Sequence, residues 1–201
     1  MPLRYLVAAA SAMALALGAP SVSAQGKSEE KQATGKKQGG LAKQDRDLLT
    51  RMAQSDMAEI EAGKLAAKNA SSPEVKKYGE HMVQEHSKML EEGGKLAKAK
   101  GVTPPSAPDK KHQAALKKLE GLSGEEFDRR FMQQMVRDHE EAMKLGERVA
   151  KNAKDSELKA HAEKAAPHIK EHLAQARKLH DSLGASSGAS GAKRSKGESG
   201  K

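Results

Sequence analysis

The stretch LKAHAEKAAPHIKEHLAQARKLHDSL, Leu158 to Leu183, places Leu158, Ala162, Ala165, Ile169, Ala176, Leu179 and Leu183 at alternating steps of three and four. That spacing marks one buried face of a helix. One position in the series, His172, carries an imidazole instead of an apolar group. Two other stretches keep to steps of three and four with the same exception. Val75, Gly79, Met82, Met89, Gly93 and Leu96 flank His86, and Phe127, Phe131, Met135, Ala142, Gly146 and Val149 flank His139. The two are linked by a repeated phrase, MVQEHSKML from Met82 and MVRDHEEAM from Met135.

Start and stop signals divide this helical sequence into four long segments. The first is expected over about Arg46 to Asn69. The second opens with Ser72 as N-cap and Pro73 at the first helical position, and ends near Lys100 before Gly101. The third starts at Ser123, which with Glu126 forms a capping-box pattern, and runs to about Asn152. The fourth follows Ser156 and reaches Leu183, with Gly184 as its stop and Pro167 as a candidate kink. Between the second and third lies a long connection, Gly101 to Ser123, in which three prolines precede a short amphipathic stretch from about Lys110 to Glu120. Four helices with one apolar stripe each are best buried as a four-helix bundle. Two tight links and one long crossover predict two hairpins in the ferritin-like arrangement, so the fold class is all-α.

The ends of the 201-residue chain read differently. Residues 1–24 have the form of a secretory signal: Arg4, an apolar run from Leu6 to Ala19, and the small-residue site Val22-Ser23-Ala24. The run is too short to span a bilayer comfortably, and the mature chain is expected to hold no transmembrane span. Export to the periplasm or cell envelope follows. Residues 25–44 read as a flexible linker, 45–183 as the bundle domain, and 184–201 as a disordered basic tail. Of the net charge of +9, residues 1–44 and 184–201 hold 10 Lys/Arg against 3 Glu, while 45–183 hold 26 against 24. The basicity belongs to the ends, where weak contact with anionic envelope polymers or lipids is the expected partner chemistry. With no Trp, two Tyr and two Phe, stacking platforms for nucleic acid are nearly absent, and no specific nucleic-acid partner is expected. The absence of cysteine excludes disulfides and thiolate ligands. Nothing in the pattern fixes an oligomeric state.

His86, His139 and His172 each lie 13 to 15 residues into their helices, and Glu59 lies 13 into the first, on the face of Leu48, Met52, Gly63 and Ala66. Helices of similar length bring these four to one central layer. Imidazole and carboxylate from facing helices suit a single transition metal ion, the candidate cofactor, or else a small polar ligand. His168, one turn before His172, offers a fourth imidazole, and Asp56, Glu85 and Asp138 offer orienting carboxylates. The remaining histidines, His81, His112, His161 and His180, are expected in solvent, and the methionines are read as adaptable packing. The alternative is that the polar layer fixes helix register without a ligand, as in a structural or stress-related envelope protein. Hydrolase motifs are absent, so no catalytic residue is proposed from the sequence.

Four segments, AEIEAGKLA from Ala58, VKKYGEHMVQEH from Val75, GEEFDRRFMQQMVRDH from Gly124 and APHIKEHL from Ala166, taken in order, resemble one family. It is the bacterial secreted, ferritin-like family catalogued as domain of unknown function 4142, whose members are often labelled outer membrane proteins. The resemblance covers about residues 45–183 and implies an envelope-located bundle without a settled activity. It also implies that Glu59, His86, His139 and His172 are characteristic polar positions, with Asp-His usual where this chain has Glu85-His86. Di-iron proteins of the wider ferritin-like fold carry Glu-x-x-His, and no histidine here has a Glu three positions earlier. That departure speaks against ferroxidase chemistry and iron storage.

Overall fold

The computed structural model describes residues 40–195, with side chains to residue 185. Five helices occupy it: α1 Lys43–Asn69, α2 Pro73–Ala99, α3 Lys110–Glu120, α4 Gly124–Asn152 and α5 Ser156–Ser195. No strand lies among the described residues, and no helix there is long and apolar enough to cross a membrane. The expected signal segment and most of the expected linker lie outside the described residues.

Helices α1 and α2 form one hairpin and α4 and α5 the other, with α1 packed on α4 and α2 on α5. The start of α4 meets the end of α1 through a bridge between Ala70 and Gly124. At the far end, Lys100 after α2 pairs with Asp155 and Glu157 at the start of α5, at 2.9 and 2.8 Å. Neighbouring helices are therefore antiparallel, and the chain between α2 and α4 returns along the whole bundle. Helix α3 rides on that return and packs against α1 and α4.

Several local signals act as read. Ser72 caps α2 by accepting from Val75 N, and Pro73 follows it. Gly101, at φ +67°, closes α2 with a Schellman motif in which Val102 N donates to Ala97 O and Gly101 N to Lys98 O. Others do not. Ser123 stands at the N-cap of α4, but its side chain accepts no capping hydrogen bond, and Gly124 takes φ +65°. Helix α1 begins three residues earlier than expected, at Lys43. Helix α5 passes Gly184 and Pro167 and runs to Ser195. A glycine ends a helix when it adopts a left-handed conformation, and Gly184 is not among the positive-φ glycines of the described residues.

The hairpins are tied together at both ends by buried carboxylates. Asp128 of α4 accepts from Ser71 N, Ser71 Oγ and Ser72 N, in the link between α1 and α2. Asp45 of α1 accepts from Lys154 N and Asp155 N, in the link between α4 and α5. Each acid thus satisfies backbone donors where the other hairpin turns and faces the positive end of its second helix. Within the first hairpin the backbones nearly touch: a β-carbon on Gly79 would lie 2.5 Å from Ala66 Cβ and 2.9 Å from Gly63 O.

The core is in two parts. Tyr78, Met82, Phe127, Phe131, Met132, Met135 and neighbours fill the end where α4 starts. Leu48, Leu49, Val149, Leu158 and neighbours fill the other. Between them lies a layer of buried polar side chains.

Asp128→Ala leaves three donors of the α1–α2 link without their acceptor, so it should cost about 2 kcal/mol of unfolding free energy in urea titrations. Gly79→Ala forces the first hairpin apart and should cost a similar amount, about 1–3 kcal/mol. Wild-type midpoints for both would contradict these packing assignments.

Candidate metal centre

The stripes read from the sequence deliver their histidines to one point. His86 on α2, His139 on α4 and His172 on α5 are at most 2% exposed. Each offers a ring nitrogen, and the three nitrogens lie within 4.8 Å of one another. The rings stand 5.3 to 5.6 Å apart, centroid to centroid, none of them stacked face to face.

Hydrogen bonds fix which nitrogens face inward. His139 Nδ1–H donates to Met135 O at 2.8 Å, which leaves Nε2 with its lone pair. Nδ1 of His86 lies 2.9 Å from Asp56 Oδ1, and donation there leaves Nε2 of His86 in the same state. Nε2 of His86, Nε2 of His139 and Nδ1 of His172 are buried without a hydrogen-bond partner. Tyr78 holds α5 in place by donating from its hydroxyl to His172 O at 3.2 Å.

Glu59 is 2% exposed and stands beside His139, with Oε1 3.8 Å from Nδ1 and Oε2 unpartnered. It is therefore on the outer side of that ring, not among the three converging nitrogens. Burial, with the charges of Asp138 and Asp56 adding to it, raises its carboxyl well above the usual range. Burial, with His86 adding to it, lowers His139 to about 3. His172 falls to about 2 through burial and the neighbouring imidazoles of His86, His139, His81 and His168. Both shifts favour the uncharged forms, which weakens any ion pair between Glu59 and His139.

His168, the expected fourth imidazole, is exposed, and its Nδ1 lies 3.2 Å from Glu85. The acid that orients His86 is Asp56, from the facing helix, and Glu85 serves Lys88 and His168 instead. Asp138 is buried, and burial raises its carboxyl against the opposing influence of His112. Three histidines expected in solvent are partly buried: His81 packs edge-on against His172 at 5.2 Å, His112 pairs with Asp109, and His161 lines a cavity beside His86. His180 is exposed as expected. His161 had a sequence signal, since it lies three turns before His172 on nearly the same face.

The donor set fits a metal ion. Three buried imidazoles, each with a ring nitrogen that has no hydrogen-bond partner, converge, and burial holds His139 and His172 toward their neutral forms. Ligand nitrogens around a tetrahedral ion lie roughly 3.4 Å apart, so small ring rotations bring these three into range. His86, His139 and His172 would hold such an ion, and Glu59 lies close enough to supply a compensating charge on ionising.

A family model described as a domain of unknown function, DUF4142, matches residues 30–179. Solved structures of similar fold include a DUF305 fragment from Deinococcus radiodurans. It is 15% identical over 72% of this chain and 98% of that one, with a TM-score of 0.62. CopM in its Cu(I)-bound form is 18% identical over 69% of this chain and 96% of that one, with a TM-score of 0.58. CopM co-crystallised with Ag is 19% identical over the same shares, with a TM-score of 0.57. At these identities the likeness speaks for the fold alone. No curated protein matches the chain in sequence.

The lowered values of His139 and His172 set a sign. A buried neutral imidazole contributes stability that is complete above the ordinary value of about 6.5 and is lost as pH falls toward about 3. Glu59, raised, works oppositely and loses its contribution as pH rises through its folded value. In metal-free protein the ring signals of His139 and His172 should stay flat between pH 8 and 5 by NMR. An inflection for either in that interval would contradict a dry, neutral layer.

Proposed function

Because the chain belongs to the DUF4142 family, whose description assigns no activity, we propose a function from the site itself: an exported helical-bundle protein that binds one transition metal ion through His86, His139 and His172. One observation carries this reading. Three imidazoles, with His86 oriented by Asp56 and His139 by Met135 O, each bury a ring nitrogen without a hydrogen-bond partner. Leaving a buried polar atom unpartnered costs about 1–3 kcal/mol, and a metal ion is the species that would satisfy all three at once. Imidazole suits zinc and copper, and CopM, of similar fold, has been crystallised with Cu(I), Cu(II) and Ag. Those ions are therefore the first to test. Export rests on the signal-like residues 1–24.

Purified chain should retain close to one metal ion per molecule by elemental analysis, and His139→Gln should abolish retention. Restoring the ion to metal-free protein at about 100 times its dissociation constant should raise the melting temperature by about 5 to 10 °C. Metal-free preparations whose melting is indifferent to added zinc, copper and silver would overturn the proposal.

A further inference from the structure

The histidine layer is closed to solvent, so an ion needs a way in. A cavity of about 190 Å³ leads from the surface to His86 and Asp56. Its outer lining includes Glu147, Ala150 and Glu163, all exposed, which places its mouth between α4 and α5. The gap exists because this seam is built from small residues: Ala142 and Gly146 on α4 face Ala162, Ala165 and Ala166 on α5. A β-carbon at Gly146 would meet nothing within 4 Å.

The lining changes character with depth. Two carboxylates, Glu147 and Glu163, flank the mouth, and neither is engaged in an ion pair among the described residues. Inside, the polarisable side chains are Met52, Met89 and Met143, together with the half-buried imidazole of His161. Gly93 makes room for that ring, since a β-carbon there would lie 3.3 Å from His161 Nε2. Burial lowers the value of His161, which keeps a lone pair available at neutral pH. A neutral set of thioethers and imidazole in an apolar channel can replace the weak hydration of a soft monovalent cation. Apart from Asp56 at its inner end, this stretch offers a strongly hydrated divalent ion no carboxylate to offset its charge.

We propose that this cavity is the access route to the histidine layer, with an acidic mouth that collects cations and a thioether-lined interior that passes soft monovalent ones to His86. This rests on the metal-binding reading and adds to it a path and a class of ion.

The test uses Ag(I), a soft ion with no redox step, and compares loading rate with final stoichiometry in the metal-free full chain. Gly146→Leu should fill the gap and slow loading at least tenfold while one Ag(I) per chain is still bound at equilibrium. Ala142→Leu is the second plug, should Gly146→Leu not fold. Met52→Leu, Met89→Leu and Met143→Leu combined preserve the apolar packing, and should slow Ag(I) loading severalfold while leaving Zn(II) loading unchanged. In wild type, the ε-methyl NMR signals of these three methionines should shift before the histidine rings do. Wild-type loading rates in both plugged variants, or in the methionine variant, would overturn the route. Failure of wild type to bind Ag(I), Cu(I) or Zn(II) at all would instead bring down the metal site, and the route with it.

Discussion

The rest of the structure depends on a polar layer that cuts the core in two. Asp56, Glu59, His86, Asp138, His139 and His172 are buried between two apolar clusters in a bundle that has few aromatic residues with which to strengthen either. Charged groups would be costly there, and the layer avoids this largely by staying neutral: burial pushes Glu59 up and His139 and His172 down. The layer holds four buried side-chain atoms without a hydrogen-bond partner, Glu59 Oε2, His86 Nε2, His139 Nε2 and His172 Nδ1. At about 1–3 kcal/mol each, that is a large cost against a total stability of about 5–15 kcal/mol. A buried polar layer can fix helix register at a cost in stability, but register does not require ring nitrogens left without partners.

Such a layer works only if the two hairpins do not slide. A slip of one helical turn moves a residue about 5.4 Å along the axis, more than the 4.8 Å within which the three nitrogens converge. Asp45 and Asp128 oppose that slip from the two ends, each reaching from one hairpin into the turn of the other. The close backbone contact at Gly63 and Gly79 sets the spacing inside the first hairpin. Site geometry is thus held by groups well outside the site.

What could be read from the sequence was what periodicity controls. The stripes put His86, His139 and His172 on buried faces at mid-helix, and the long connection implied the crossover. What could not be read depends on tertiary partners. The capping box at Ser123 and Glu126 is a local pattern, yet Gly124 turns the chain there with a positive φ and the pattern goes unused. The carboxylates that do satisfy the hairpin turns come from residues 57 and 110 positions away. His168 is 400 degrees of helix rotation from His172, about 40 degrees off its direction, enough to carry it to the surface beside Glu85. Asp56 and Glu85 were equal candidates to orient a histidine, and only the packing of α1 on α2 decides for Asp56.

Charge along the proposed path has a consistent logic. The chain's basicity lies in its ends, and residues 45–183 are nearly balanced, so a cation meets little repulsion at the bundle and two carboxylates at the cavity mouth. Deeper in, polarisable donors line the way as far as Asp56 and His86, and beyond them burial holds His139 and His172 toward the uncharged imidazole. An ion entering such a site displaces no proton from His139 or His172. Glu59 beside them, whose buried carboxyl is pushed toward its protonated form, would then be the group whose ionisation balances the added charge of a bound ion.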